Sequence, residues 1–175
     1  DLQKFWRYSM HTAAVAGWVA KQAGVNRDQA FTVGLMHAIG ELVMHAGMPE
    51  QMLQIDKMAS PMDARRFDIE RTSFGYTFAN VGAELAKQWR FPTAFVDAIA
   101  NFPEPLTTEP LNQVAACIHL AAWRARAEHN GLNQEEMAAT VPGDVCKALG
   151  LSPETFLTEM PPLAELCEGL EALLS

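Results

Sequence analysis

A chain of 175 residues with 49% hydrophobic side chains is the size of one domain with a buried core. Its formal charge of −8 disfavours nucleic-acid binding, which draws on clustered Lys and Arg, and no apolar run approaches the ~20 residues of a membrane-spanning helix. Cys117, Cys146 and Cys167 are odd in number and far apart, so neither disulfides nor a zinc knuckle is indicated; each reads as a small core hydrophobe in a reducing, cytoplasmic setting.

Helical signals run from end to end, and no segment sustains the period-two alternation of a half-buried strand. The expected fold class is all-α, with residues 1–175 as one domain. Phe5, Trp6, Ser9, Ala13, Ala16 and Ala20 mark one face of a first helix ending near Gly24, and their small members permit close packing. Asn26 with Gln29 is a capping-box pattern that opens a second helix. Its apolar stripe of Phe31, Leu35, Ile39 and Leu42 runs on to a stop at Gly47 and Pro49. Trp6 and Leu35, on these apolar faces, are expected in the core.

Ser60-Pro61-Met62-Asp63 reads as the start of another helix, with Pro at its first position and Gly75 at its end. Helices follow over Thr77 to Trp89 and about Thr93 to Phe102, before a loop marked by Pro103, Pro105 and Pro110. Leu111 to about His129 is a long Ala-rich helix closed by Asn130-Gly131, and Asn133 with Glu136 caps a fresh one. Ser152-Pro153-Glu154 begins a helical tail interrupted by Pro161-Pro162. Leu163, Leu166, Leu170 and Leu173 then share a face that either packs on the domain or serves as a dimer or partner seam. Arg65, Arg66, Arg71, Arg124 and Arg126 recur at helical spacing and read as solvated faces.

Four segments carry a resemblance: Phe5-Trp6-Arg7-Tyr8-Ser9, Ala30-Phe31-Thr32-Val33-Gly34-Leu35-Met36-His37-Ala38-Ile39-Gly40, Gly75-Tyr76-Thr77-Phe78-Ala79-Asn80-Val81-Gly82-Ala83-Glu84-Leu85, and Trp89-Arg90-Phe91-Pro92. In this order, over roughly the first 105 residues, the chain resembles the HDOD family. These HD-related output domains are helical relatives of the HD phosphohydrolases and occur in bacterial signalling proteins. The resemblance implies an HD-domain-like multi-helix bundle, with further helices ahead of the Trp6 segment. It also implies where the hydrolase ligands belong: a first His at Tyr8, the His-Asp pair at His37-Ala38, a late Asp at Ala122, and further His positions at Phe78 and at Asn101-Phe102. Only His37 survives.

An HD-type hydrolase needs several nitrogen and oxygen ligands to fix a divalent metal and acidify its water. One imidazole does not suffice, so the expectation is a non-catalytic regulatory domain with no metal or other cofactor. It would act through a protein partner or an attached signalling domain, with neither nucleic acid nor membrane as partner. His37 is then expected as a buried neutral imidazole bonded to backbone or to Tyr8. The alternative is a metal-dependent HD-type phosphohydrolase or nucleotide-binding domain with a displaced site on His37, Glu41 and His45, at i, i+4 and i+8. His11, His45, His119 and His129 read as solvated or hydrogen-bonded. No phosphate-binding Gly loop, G-x-S-x-G elbow or H-E-x-x-H is present. Gly75-Tyr76-Thr77 lacks the Gly-Tyr-Pro triplet that the resemblance associates with hydrolysis of cyclic dinucleotides.

Overall fold

Helix α1 (Leu2–Ala23) is the spine of the computed structural model, which describes residues 1–170. Asp1 caps its start by accepting from the Lys4 N–H, and Gly24 ends it in the left-handed region. Its buried face is Tyr8, Ser9, Thr12, Ala13, Ala16, Val19 and Ala20, among others. Trp6 is 36% exposed, so its expected place in the core is corrected, and truncating it should cost less than the ~2 kcal/mol lower bound for a buried large side chain.

The second predicted helix is two. Asn26 caps α2 (Arg27–Met36) through the Gln29 N–H, as its sequence suggests, but the chain turns at His37-Ala38 before α3 (Ile39–Gly47) begins. The turn displaces the buried face: Ala30, Val33, Gly34, His37, Ala38, Gly40 and Glu41 point inward, while Phe31, Leu35, Ile39 and Leu42 are only half-buried. Gly34 and Gly40 allow this. A Cβ on Gly34 would press on the Ala13 backbone, and one on Gly40 would overlap the Phe78 carbonyl oxygen across the crossing with α6 (Phe78–Gln88).

Between Gly47 and Ser60, a stretch left unassigned above, α4 (Pro49–Met58) forms with Pro49 at its first position. Ser60 to Asp63 is a turn rather than a helix start, and α5 (Arg66–Phe74) follows, ended by left-handed Gly75 as expected. Helix α6 opens with a reciprocal capping box between Thr77 and Asn80. Helix α7 (Thr93–Asn101) and the long α8 (Gln113–His129) lie where predicted, and α8 packs against α1, α2 and α7.

The Asn133/Glu136 capping box is present on α9 (Gln134–Thr140). The sequence gives no sign of α10 (Gly143–Ala148), while Ser152 caps α11 (Pro153–Glu159) as read. The tail holds a single helical turn, α12 (Leu163–Leu166). Leu163 is buried and Leu166 and Leu170 pack against the core, whereas Leu173 lies outside the described residues. Cys117, Cys146 and Cys167 are buried, as core hydrophobes are.

Candidate functional site

His37 sits fully buried at the α2–α3 turn, where helices α1, α7 and α8 also arrive. Its Nδ1–H donates to the Gly34 carbonyl at 2.6 Å, and since a carbonyl only accepts, the proton is on Nδ1. Nε2 is left with its lone pair and no hydrogen-bond partner. Burial pushes the imidazole down to about 4, so the ring is neutral.

Aromatic rings fill the space around it. Tyr8 lies edge-on at 5.1 Å between centroids and Phe102 at 5.3 Å; Phe102 in turn meets Phe78 at 6.1 Å and Phe67 at 5.6 Å. Thus Tyr8, His37, Phe102 and Phe78, far apart in sequence, form one cluster, with Ala38 buried beside them in the chain. Ala122 is on the buried face of α8. Asn101 is not brought in: its side chain donates to the Asp97 carbonyl of its own helix at 2.7 Å. The Tyr8 hydroxyl does not reach for His37 but accepts a long 3.4 Å bond from Arg126, and His119 donates to the Phe102 carbonyl.

These residues do not fit a divalent metal. The methyl groups of Ala38 and Ala122 and the rings of Phe78 and Phe102 offer no lone pairs, and the Tyr8 hydroxyl bonds a guanidinium, leaving one imidazole nitrogen where several hard donors are needed. Among the described residues no cluster of His, Cys, Asp and Glu has a metal-binding arrangement.

A second constellation went unseen in the sequence. Arg66, expected on a solvated face, is fully buried and donates in every direction. Nε bonds Glu41 Oε1 (3.1 Å) and Glu70 Oε1 (2.7 Å), Nη2 bonds Glu41 Oε2 (3.0 Å), and Nη1 bonds Asp56 Oδ1 and the Ala59 carbonyl (both 2.7 Å). His45 joins in through Nε2 to Asp56 Oδ2 (2.9 Å), with Nδ1 on the Glu41 carbonyl (2.8 Å). Glu70 Oε2 accepts from the Phe78 N–H at 2.7 Å, so its carboxylate satisfies an open donor at the start of α6. Burial drives the Glu41 carboxyl up to about 8 against the pull of Arg66, with Glu70 adding to the rise. Asp56 feels burial too, but hydrogen bonds from His45 and Arg66 outweigh it and hold it below its usual range. In sequence, Arg66 and Glu70 at i, i+4 look like any exposed helical pair; only the tertiary placement of α5 makes them core.

A cavity of about 490 Å³ opens beside both constellations, lined by apolar side chains such as Phe5, Tyr8 and Leu42 and by charged or polar ones such as Asp1, Lys4, Glu41 and Asp56.

The HDOD domain profile matches residues 1–105 of this chain, which is more than half of it. The chain belongs to the HDOD family. Among solved structures, this HDOD chain is similar to a Shewanella amazonensis SB2B protein described as a candidate phosphohydrolase (27% identity, TM-score 0.76, covering 95% of this chain and 60% of that one). It shares its fold with the response regulator MmoQ of Methylococcus capsulatus str. Bath (21%, TM-score 0.63, 90% and 61%). The same holds for an HDOD domain protein of unknown function from Geobacter sulfurreducens (18%, TM-score 0.67, 98% and 60%). An uncharacterized Treponema pallidum (strain Nichols) protein is 25% identical over 125 residues, 66% of this chain and 24% of that protein. The chain therefore spans about a quarter of that relative and about three fifths of the structural neighbours.

Proposed function

We propose that this HDOD chain is a non-catalytic regulatory domain of bacterial signalling, acting through a protein partner or an attached signalling domain in the cytoplasm. The observation that carries the reading is the donor chemistry around His37. The positions that hold a hydrolase's metal present rings and methyl groups, and the surviving imidazole spends one nitrogen on Gly34. A site that cannot hold the ion cannot acidify its water, and no other group there replaces that chemistry.

The Shewanella neighbour's description favours a second reading, a metal-dependent phosphohydrolase with a displaced site at Glu41 and His45. Against it, both Glu41 oxygens bond Arg66, and a guanidinium at that spot repels a cation. The two readings differ in elemental analysis of chain purified without chelator and in phosphate release from nucleoside phosphates and cyclic dinucleotides. The expected result is no stoichiometric transition metal and no release. A reproducible equivalent of metal, with activity lost on chelation, overturns the first reading in favour of the second.

A further inference from the structure

Among the described residues, two polar side-chain atoms are buried without a hydrogen-bond partner, the Nε2 of His37 and the hydroxyl of Ser9. Both residues are fully buried. Their chemistry is complementary. With the ring proton on Nδ1, facing the Gly34 carbonyl, Nε2 presents only a lone pair, whereas the Ser9 hydroxyl can both donate and accept. Leaving such groups unpaired inside a core is costly, so each calls for a partner.

The fold places them in one layer. Helices α1 and α2 run antiparallel: a Cβ on Gly17 of α1 would meet Arg27 and Phe31 of α2, and one on Gly34 of α2 would meet Ala13 of α1. One turn back from Ala13 on the same face is Ser9, and one turn on from Gly34 is His37. Tyr8, beside Ser9 in the chain, meets the His37 ring at 5.1 Å between centroids. Nor is the Ser9 hydroxyl spent on its own helix. Thr12 and Thr32 donate back to the carbonyls of Tyr8 and Asp28, both at 2.9 Å, but Ser9 makes no such bond to Phe5. No bond joins Ser9 directly to Nε2 either, so the pair suits a third body that donates to one and accepts from the other.

We infer that the space between Ser9 and the His37 ring is a site for one buried water molecule, which donates a hydrogen to Nε2 and accepts the hydrogen of the Ser9 hydroxyl. Such a water needs a void of about 10–15 Å³ and roughly two to four polar partners, and these two atoms supply the minimum. It ties α1 to the α2–α3 turn. It also gives His37 a task that needs an imidazole but no metal: a buried acceptor, fixed in one tautomer by Gly34. The edge-on rings of Tyr8 and Phe102, both buried, shield that acceptor from bulk solvent. The inference goes beyond the regulatory reading and does not depend on it.

A crystal structure at a resolution that shows ordered solvent tests this, and density for a water within about 3.2 Å of both Ser9 Oγ and His37 Nε2 is expected. Magnetic relaxation dispersion of water oxygen-17 counts long-lived internal waters in solution. Folded Ser9→Ala should lose one of them, because a buried water left with a single partner is not held. In the unmodified chain, the nitrogen-15 signal of Nε2 should be that of a hydrogen-bonded acceptor, at lower frequency than a free one; this readout needs no variant to fold. A dry gap, a direct Ser9–His37 bond, a bond from Ser9 to the Phe5 carbonyl, a free-acceptor signal, or an unchanged water count in Ser9→Ala each overturns the inference. A metal ion on Nε2 overturns it together with the non-catalytic reading, whereas a dry site with no metal in elemental analysis overturns this inference alone.

Discussion

His37 and Glu41 are buried titratable groups whose shifts have opposite consequences. The folded state holds His37 near 4 against an ordinary 6.5, so between those values the unfolded chain takes a proton that the folded one refuses. Stability from this residue is present above about pH 6.5 and is lost as pH falls through about 4, by an amount on the order of 3 kcal/mol. Glu41 is raised from 4.5 to about 8, so the folded state holds the extra proton; its contribution is full below about 4.5 and is lost as pH rises through about 8. Urea midpoints across pH check both: His37→Leu should flatten the acid limb and Glu41→Gln the alkaline one. An acid limb unchanged in His37→Leu would mean that the ring titrates freely.

The crossing of α3 and α6 depends on a missing side chain. Gly40→Ala would drive a methyl into the Phe78 carbonyl and should cost at least about 3 kcal/mol, whereas Gly47→Ala, with nothing within 4 Å, should be neutral or slightly stabilising. Thermal melts of the two variants separate a packing constraint from a general dislike of Ala in α3. The ionic cluster ties α3, α4 and α5 together and holds the start of α6. Removing Arg66 alone, as Arg66→Met, should destabilise by about 3–5 kcal/mol because buried carboxyls lose their cation. Adding Glu41→Leu should restore part of the loss, measured as a double-mutant cycle. If the double variant is as unstable as the sum of the singles, the pair is not coupled as the geometry requires.

Across the whole molecule, the HD-type ligand positions are scattered over α1, the α2–α3 turn, α6, α7 and α8, and the assembled bundle brings the rings of Tyr8, Phe102 and Phe78 into one cluster with His37. Restoring Tyr8→His, Ala38→Asp and Ala122→Asp together should create affinity for Mn²⁺ or Ni²⁺ at His37, read by calorimetry on the folded variant. A folded triple variant that binds no better than the parent would show that Ala122 or Tyr8 does not reach the imidazole. Two carboxyls buried without the ion repel each other, so the variant should also be markedly stabilised by the metal.

Local chemistry is what a sequence reveals, and here it revealed much. The Asn26, Asn133 and Ser152 caps, the left-handed Gly24 and Gly75, and the α6, α7 and α8 spans each follow from a few neighbouring residues, whose hydrogen bonds and φ preferences act within a turn. The same holds for the motif order that marks the family. Tertiary structure decided the rest. The break at His37-Ala38 goes with a close crossing on α6, which α2 and α3 do not encode alone, and α4 occupies a stretch to which the sequence reading assigned no helix. Arg66 and Glu70 carry the pattern of a solvated pair, yet Glu41, a helix away in sequence, and Asp56 complete a buried network around them. Ligands for a guanidinium come from distant segments, so burial of charge is a property of the assembled fold and not of any window of its sequence.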